Sequence, residues 1–190
     1  MIRMACLNCQ LIERAHKLRL PKPFRSLCVE GCIESGKDIM DGGTIYNVGP
    51  GLESTGVADL ADSMAAVKKF IFDDKKYDMA TLIDVLDKDF EGYEDFRQEL
   101  INGAPKYGND DDYVDSIARK FVSDSCDYCE QYTGMNGSKF MNGVVPVIAN
   151  LPHGLTTWAL PSGSKATVPL ADGISPYVGY DKHGPSAVIK

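Results

Sequence analysis

Residues 103–117 read Gly-Ala-Pro-Lys-Tyr-Gly-Asn-Asp-Asp-Asp-Tyr-Val-Asp-Ser-Ile, and this stretch combines a chain break with a helix start. Pro105 and Gly108 end any helix that precedes them, because proline lacks an amide donor and glycine destabilises a helix interior. Asn109 or Asp110 can then cap a new helix, and the aspartates that follow place negative charge beside its unpaired amides. The stretch therefore predicts one helix that ends and another that begins, with a turn between them.

Apolar residues recur at helical spacing in several segments around this turn. The clearest repeat runs from Val57 to Ile71, with aspartates early and lysines late, as the helix dipole favours. The N-terminal segment carries Met4, Leu7, Leu11 and Leu18 on or near one face of a helix. The predicted helices are this N-terminal segment and residues 57–72, 79–88, 93–102 and 111–132.

Short runs of β-branched and aromatic residues predict strands at 24–29, 44–48 and 144–149. The first follows Pro21 and Pro23, which favour an extended chain. The last lies between Gly143 and Pro152 and reads as a buried strand. Beyond it, glycine and proline recur every few residues up to residue 190, which predicts an ordered loop with little regular structure.

The letters APKYGNDDDYVD at 104–115 resemble a segment of glycyl radical enzymes, the pyruvate formate-lyase-like family that includes diol and glycerol dehydratases and choline trimethylamine-lyase. Three further segments resemble that family in the same order along the chain. They are EGCIESGKDIMDGGTIYN at 30–47, the run that begins GPGLESTGVADLADS at 49–69, and the run from PLADGISP to GPSAVIK at 169–190. The resemblance is therefore nearly end to end.

This resemblance implies the fold class α/β: a partial segment of a glycyl radical enzyme α/β barrel, helix-rich, with a few short strands and a long C-terminal ordered loop. Residues 1–190 would form part of a single pyruvate formate-lyase-type domain, truncated at both ends. The expected function is that of a fragment of a lyase or dehydratase that cleaves a C–C, C–O or C–N bond by radical chemistry. The radical glycine and the thiyl cysteine would lie elsewhere in the parent, so we expect this chain to frame the pocket and to be inactive alone.

The same resemblance implies a cofactor and partners for the parent enzyme. Its glycyl radical would be installed by an activating enzyme that uses S-adenosylmethionine and an iron–sulfur cluster, and this chain would bind no cofactor itself. The expected partners are a small-molecule substrate, the activating enzyme and a second parent chain in a homodimer. The substrate class stays open among diols, amine alcohols, sulfonates and ketoacids.

Composition narrows the class of protein. The 190 residues have a formal net charge of −7, and lysine and arginine are scattered rather than clustered, which argues against nucleic acid or anionic membranes as partners. Charged residues interrupt the N-terminal segment, and no apolar run approaches the roughly 18 residues of a membrane helix. The six cysteines come without a secretory signal, so we expect reduced thiols and a cytoplasmic location.

Two glycine-containing segments imitate known sites. Residues 31–37 match the phosphate-binding pattern GxxxxGK, but Asp38 replaces the Ser or Thr that would bind magnesium, so we reject nucleotide binding. Gly31-Cys32-Ile33-Glu34 is similar to the thiyl loop of the family, but the letters around it belong to a later segment. Cys32 is therefore interpreted as a small buried hydrophobe, and no catalytic residue is assigned.

Two cysteine pairs and one acidic run are candidate metal ligands. Cys6-x-x-Cys9 and Cys126-x-x-Cys129 have the inner spacing of zinc or iron–sulfur ligands, but both pairs lie in predicted helices. The run at 110–115 lacks the alternating ligands and the sixth-position glycine of an EF-hand loop. We assign no metal ligand, while a thiolate metal module stays an alternative function.

The candidate substrate-binding residues come from the resemblance. It places His153 and Gly154 close to the substrate, and Asp172, Ser175 and Pro176 in a turn that frames the pocket. A packed or exposed histidine and an ordinary Asp-Gly turn would also explain these residues. Ser54 or Thr55 is expected to cap the helix at 57–72.

One position departs from the family pattern. Pro161-Ser-Gly-Ser164 stands where relatives usually read Pro-Asp-Gly-Arg, so the usual arginine is replaced by Ser164. Its loss either leaves a carboxylate unpaired or marks a subfamily with different packing.

Two alternative functions stay open. Besides the thiolate metal module, the chain could be a non-catalytic accessory or scaffold protein that folds alone, and a cooperative unfolding transition would favour that alternative.

Overall fold

The structure is a computed structural model that describes residues 2–190, and helices account for most of its regular structure. The α-helices are α1 (Ile2–Arg19), α2 (Pro23–Leu27), α3 (Cys32–Ser35), α4 (Val57–Val67), α5 (Met79–Asp87), α6 (Glu94–Gly103), α7 (Asp112–Cys129), α8 (Asn150–Leu155) and α9 (Pro185–Ile189). A 3₁₀ turn covers Ile39–Asp41, and a π-helix, Lys68–Asp73, continues α4. The helix-rich α/β class that the sequence predicted is confirmed.

The chain divides into two compact units. Residues 2–53 and 123–143 form the first unit, and residues 54–122 and 144–190 form the second. In the first unit, strands β1 (Gly51–Glu53) and β2 (Met141–Gly143) pair in parallel, with Leu52 opposite Asn142. Cys6, Cys129 and Phe140 form the buried cluster of this unit.

The second unit contains two apolar clusters. One joins Phe70 of the π-helix to Leu82 and Val85 of α5 and Leu100 of α6. The other packs small residues of α4, such as Ala61 and Ala65, against Val114 and Ala118 of α7. Alanine at these positions allows the helix backbones to approach closely, and most of the circumference of α4 is buried, with Leu60 and Met64 on its exposed side.

The predicted helices at 57–72, 79–88, 93–102 and 111–132 are confirmed as α4 with its π extension, α5, α6 and α7. The N-terminal helix is confirmed as α1, but its buried side chain is Cys6, while Met4 and Leu11 are 61% and 65% exposed. The apolar stripe of α1 therefore does not form the core of this structure. No helix among residues 2–190 is both long and apolar enough to span a membrane.

The three predicted strands are wrong. Residues 24–29 begin as α2, because Pro23 occupies the start of the helix, where its fixed φ is favourable and its missing amide costs nothing. Residues 44–46 form bends and residues 47–48 have no regular structure; the Thr44 hydroxyl bonds the carbonyl of Tyr46 and Asn47 Oδ1. These local side-chain bonds compete with strand pairing.

The predicted buried strand at 144–149 is also irregular and partly exposed. Ile148 is 79% exposed, and Pro146 has no amide to donate to a sheet. The strand ends at Gly143, immediately before this segment. The prediction of a long C-terminal loop holds for residues 156–184, between α8 and α9.

Candidate functional site

The turn between α6 and α7 holds a buried lysine. The Lys106 ammonium donates hydrogen bonds of 3.0 Å to the carbonyls of Leu100 and Ser162, and it lies 5.2 Å from the ring centre of Tyr180. Burial lowers the pKa of Lys106 to about 8, although the carboxylate of Asp62 opposes that shift. Lys106 thus ties the end of α6 to the segment around residue 162.

Asn109 connects the same turn to the C-terminal loop. Its side-chain amide donates to the carbonyls of Lys106 (3.0 Å) and Tyr180 (2.8 Å). Its Oδ1 accepts from the amides of Lys182 (2.8 Å) and His183 (3.1 Å). One side chain therefore bonds two regions that are more than seventy residues apart.

The predicted cap of α7, Asn109 or Asp110, is wrong. The helix begins at Asp112, and Asp111 Oδ1 accepts from the amide of Tyr113, so Asp111 is the capping residue rather than Asn109 or Asp110. Asp115 reaches back to accept from the amides of Gly108 and Asp111. The acidic residues of this stretch are thus hydrogen-bond acceptors for the turn and the helix start.

Two buried aspartates on α4 complete the framework. Asp59 Oδ2 accepts from the amide of Ala171, and Asp62 Oδ1 accepts from the amide of Tyr107, both at 2.7 Å. Burial raises the pKa of Asp59, and it raises the pKa of Asp62 to about 7 despite the hydrogen bond from Tyr107 and the charge of Lys106. Asp59 thus holds the backbone just before the candidate substrate-binding turn, and Asp62 holds the backbone between α6 and α7.

The early position of these aspartates in the helix predicts only an interaction with the helix dipole. Their spacing carried a further signal, because Asp62 follows Ala58 by one helical turn and precedes Ala66 by another, all on the buried face of α4. A charged residue within an apolar stripe is rarely buried without a partner. Asp62 is 1% exposed, so the signal indicates a paired, structural carboxylate.

His153 and Gly154 lie on α8. His153 is exposed, and its Nδ1 is 3.2 Å from the hydroxyl of Thr55. Gly154 is buried, and a Cβ at this position would lie 2.2 Å from the carbonyl oxygen of Val168. Only glycine lets α8 approach the 168–169 backbone so closely, whereas the imidazole stays accessible to a ligand.

The sequence predicts Ser54 or Thr55 as the cap of α4, and the structure differs. The N-cap of α4 is Gly56, in the left-handed conformation and with no side-chain cap. Because Thr55 bonds His153 instead, the segment before α4 orients the candidate imidazole.

Asp172, Ser175 and Pro176 lie in one turn, where the amide of Ser175 donates to the carbonyl of Asp172 at 2.9 Å. Asp172 and Ser175 are exposed. Gly173, at φ +54°, lies against the backbone of Pro146, where a Cβ would lie 2.9 Å from the Pro146 nitrogen. The turn is therefore fixed by backbone contacts and presents polar side chains outward.

The structure brings some of the candidate residues to one surface depression and leaves others outside it. Ser175 and Pro176 line an open depression of about 470 Å³ that also includes residues of α9. His153, Gly154 and Asp172 are not among its lining residues. The α8 residue Asn150 nevertheless exchanges hydrogen bonds with Leu170, which connects α8 to the chain just before the turn.

Ser164, at the position of the missing arginine, is buried, and its hydroxyl has no hydrogen-bond partner among residues 2–190. The carbonyl of the preceding Gly163 accepts from Arg97 at 3.0 Å. An arginine of α6 thus contacts the turn in which the family arginine would stand.

The rejected phosphate-binding pattern at 31–37 contains a short helix. Gly31 and Gly36 enclose the four-residue helix α3, both in the left-handed conformation, and Cys32 is 3% exposed. Among residues 2–190, no three His, Cys, Asp or Glu side chains are arranged to hold a metal ion. The interpretation of Cys32 as a buried residue agrees with its position.

Comparisons with known proteins identify the class. The model of the pyruvate formate lyase-like family matches residues 1–154. The structure is similar to a B12-independent glycerol dehydratase from Clostridium butyricum, with a TM-score of 0.93 and 40% identity over 98% of this chain. It is also similar to a glycyl radical enzyme from Archaeoglobus fulgidus, with a TM-score of 0.92 and 35% identity over 99% of this chain and 24% of that one.

The chain belongs to the pyruvate formate lyase-like family of glycyl radical enzymes. It is 38% identical to the trans-4-hydroxy-L-proline dehydratase of Clostridioides difficile over 95% of this chain and 23% of that protein. It is 38% identical to the isethionate sulfite-lyase of Bilophila wadsworthia over 87% of this chain and 20% of that protein. The chain therefore spans between a fifth and a quarter of the length of these relatives, and 24% of the glycerol dehydratase.

Proposed function

We propose that this chain is one part of a glycyl radical lyase or dehydratase, where it frames a small-molecule pocket and has no activity alone. The carrying observation is its likeness to the glycerol dehydratase over 98% of its residues, although it spans only 24% of that chain. The relatives named above act on small hydroxylated or sulfonated molecules according to their names. We propose that the parent enzyme cleaves a C–C, C–O or C–N bond of a small molecule.

The framework of hydrogen bonds supports a framing role. Asp59 and Asn109 hold the backbone at 171 and at 180–183, on both sides of the turn that carries Ser175 and Pro176. A binding site is most precise when its residues rest on a well-supported backbone. In this proposal, Asp172, Ser175 and Pro176 contribute the rim of the pocket.

His153 and Gly154 contribute the second part of that rim. Gly154 seats α8 on the 168–169 backbone, and Thr55 engages Nδ1 of His153, which leaves Nε2 as the ring nitrogen for a substrate hydroxyl or carboxylate. Hydrogen bonds from positioned groups orient a substrate for attack at one of its bonds. His153 is thus proposed to bind and orient, and hydrogen abstraction is left to radical groups outside this chain.

The parent would use a glycyl radical installed by an activating enzyme that depends on S-adenosylmethionine and an iron–sulfur cluster. We propose that it acts as a cytoplasmic homodimer and that residues 1–190 belong to one domain of it. In this proposal, the candidate residues described above bind and orient the substrate and carry no radical.

The test is a chimera in which this chain replaces the matching quarter of the Clostridium butyricum glycerol dehydratase. After anaerobic activation, the glycyl radical is quantified by electron paramagnetic resonance, and glycerol turnover is measured on the same sample. The isolated chain should show neither a radical nor turnover. A chimera with both would support the proposed position of the chain within such an enzyme.

Two variants of the chimera separate binding from radical installation. His153→Ala should raise KM for glycerol about tenfold, as expected for the loss of one or two hydrogen bonds, and should leave the radical signal unchanged. His16→Ala, on α1, is the matched control and should change neither quantity. Equal KM values for the two variants would overturn the role of His153, and turnover by the isolated chain would overturn the proposal of a part that is inactive alone.

A further inference from the structure

The two cysteine pairs, more than a hundred residues apart in sequence, come together in the first unit. Cys6 of α1 and Cys129 at the end of α7 are both fully buried and pack with Phe140 in one cluster. The two thiols lie close enough that each perturbs the pKa of the other. A disulfide requires two cysteines whose side chains are neighbours, and their shared buried cluster makes Cys6 and Cys129 the candidates for one.

The other cysteine of each pair, Cys9 or Cys126, is partly exposed. Cys9 lies one helical turn after Cys6, and Cys126 lies one turn before Cys129. Cys126 Sγ is 3.7 Å from the carbonyl of Asn142. A reagent in solvent therefore has a path to the buried pair through a neighbouring thiol.

The arrangement favours a dithiol over a metal site. A closed thiolate site needs four ligands around one point, and no three such ligands meet among the residues that the structure describes. The structure instead brings together two buried thiols, each one helical turn from a partly exposed one. Thiol–disulfide exchange needs an accessible thiol as the point of attack, which the partly exposed cysteines provide.

We propose that Cys6 and Cys129 form a reversible disulfide, with a low-molecular-weight disulfide as the oxidant. The Cys126 thiolate attacks one sulfur of the oxidant, which forms a mixed disulfide and releases one thiol. Cys129 then displaces the second thiol by attack on Cys126 Sγ, and Cys6 attacks Cys129 Sγ and frees Cys126. The protein loses two thiol hydrogens and two electrons, and the oxidant gains both as two thiols.

The surroundings predict the kinetics of this exchange. Burial raises the pKa of both Cys6 and Cys129, so few thiolates are present near neutral pH. Bridge formation should accelerate as the pH rises towards 9. The product would link the start of the chain to residue 129 and should raise the midpoint of thermal unfolding.

The test treats the full chain, purified under reducing and anaerobic conditions, with oxidised glutathione. The unreduced, denatured protein should lose two thiols and gain no glutathione mass. Trypsin should then release residues 4–14 linked to residues 121–139, and fragmentation should place the bond between Cys6 and Cys129. Glutathione adducts without this link, or no loss of thiols at pH 9, would overturn the proposal without the need for a variant.

Single alanine variants test each thiol. Cys6→Ala and Cys129→Ala should each lower the yield of the linked peptides at least about tenfold, whereas Cys126→Ala should slow the reaction and preserve its product. Cys28→Ala, at an exposed cysteine in a different tryptic peptide, is the matched control. Unchanged linkage in Cys6→Ala or Cys129→Ala, with native circular dichroism, would assign the bond to other cysteines and overturn the proposal.

Discussion

Replacement of Asp62 by asparagine should remove a pH dependence from the stability of this protein. Asp62 is buried on α4, and its folded-state pKa is about 7, compared with an ordinary value of 3.8. Lys106 lowers this pKa by its charge, whereas Asp59 and Asp115 raise it. The folded chain therefore keeps a proton on Asp62 at a pH where the unfolded chain has released it.

The sign and size of the effect follow from proton linkage. Below about pH 4, both states are protonated and the carboxyl contributes its full stability; that contribution is lost as the pH rises through about 7. The difference between the two pKa values corresponds to about 4 kcal/mol, which is lost between about pH 4 and pH 7, and roughly 2.6 kcal/mol of it is lost between pH 5 and pH 8. An asparagine keeps an oxygen acceptor for the amide of Tyr107 but does not titrate.

The assay is urea unfolding followed by far-UV circular dichroism at several pH values from 5 to 8. The wild type should lose stability relative to Asp62→Asn as the pH rises, and Asp62→Asn should be the more stable protein at pH 8. Asp84→Asn, at an exposed carboxylate paired with Lys88, should follow the wild type. Parallel pH curves for the wild type and Asp62→Asn would refute the reasoning, because they would mean that Asp62 titrates alike in both states.

Two further substitutions test the framework around the candidate site. Lys106→Met leaves two buried carbonyls unpaired and should cost about 3 kcal/mol of unfolding free energy, while Lys88→Met, at an exposed ion pair, should leave the urea midpoint nearly unchanged. Gly154→Ala places a methyl group 2.2 Å from the Val168 oxygen and should destabilise the chain by about 2 kcal/mol in the same assay. Gly51→Ala, whose Cβ meets open space, is its control. Equal midpoints within either pair of variants would contradict the contacts on which that prediction rests.

The long helices could be predicted from the sequence because their information is local. The apolar repeat that begins at Val57 and the turn at Pro105 and Gly108 depend on neighbours within a few residues, and α4, α6 and α7 follow them closely. The strands failed for the opposite reason. A strand exists only through its partner, and nothing near residue 144 indicates that β1 pairs with residues 141–143 instead.

The candidate site divides in the same way. Family resemblance selected His153 and the turn at 172–176, and the role of these residues stays a prediction. For the surrounding framework, the sequence predicted other roles than those observed. It placed Asp62 in the helix dipole, and it made Asn109 and Thr55 candidate helix caps. Each is defined by a contact at least forty-five residues away in sequence.

By itself, the sequence determined the family, the order of the main helices and the positions where the chain must turn, since these depend on local propensity and on recognisable motifs. Only the tertiary structure decided which polar side chains are buried and what they bind. Lys106 looks like an ordinary surface charge in the sequence. The apolar stripe of α4 indicates that Asp62 needs a partner but does not say which one, because burial and pairing are properties of the packed chain. The shifted pKa values of Lys106 and Asp62 and their hydrogen bonds exist only once distant segments exclude water around them.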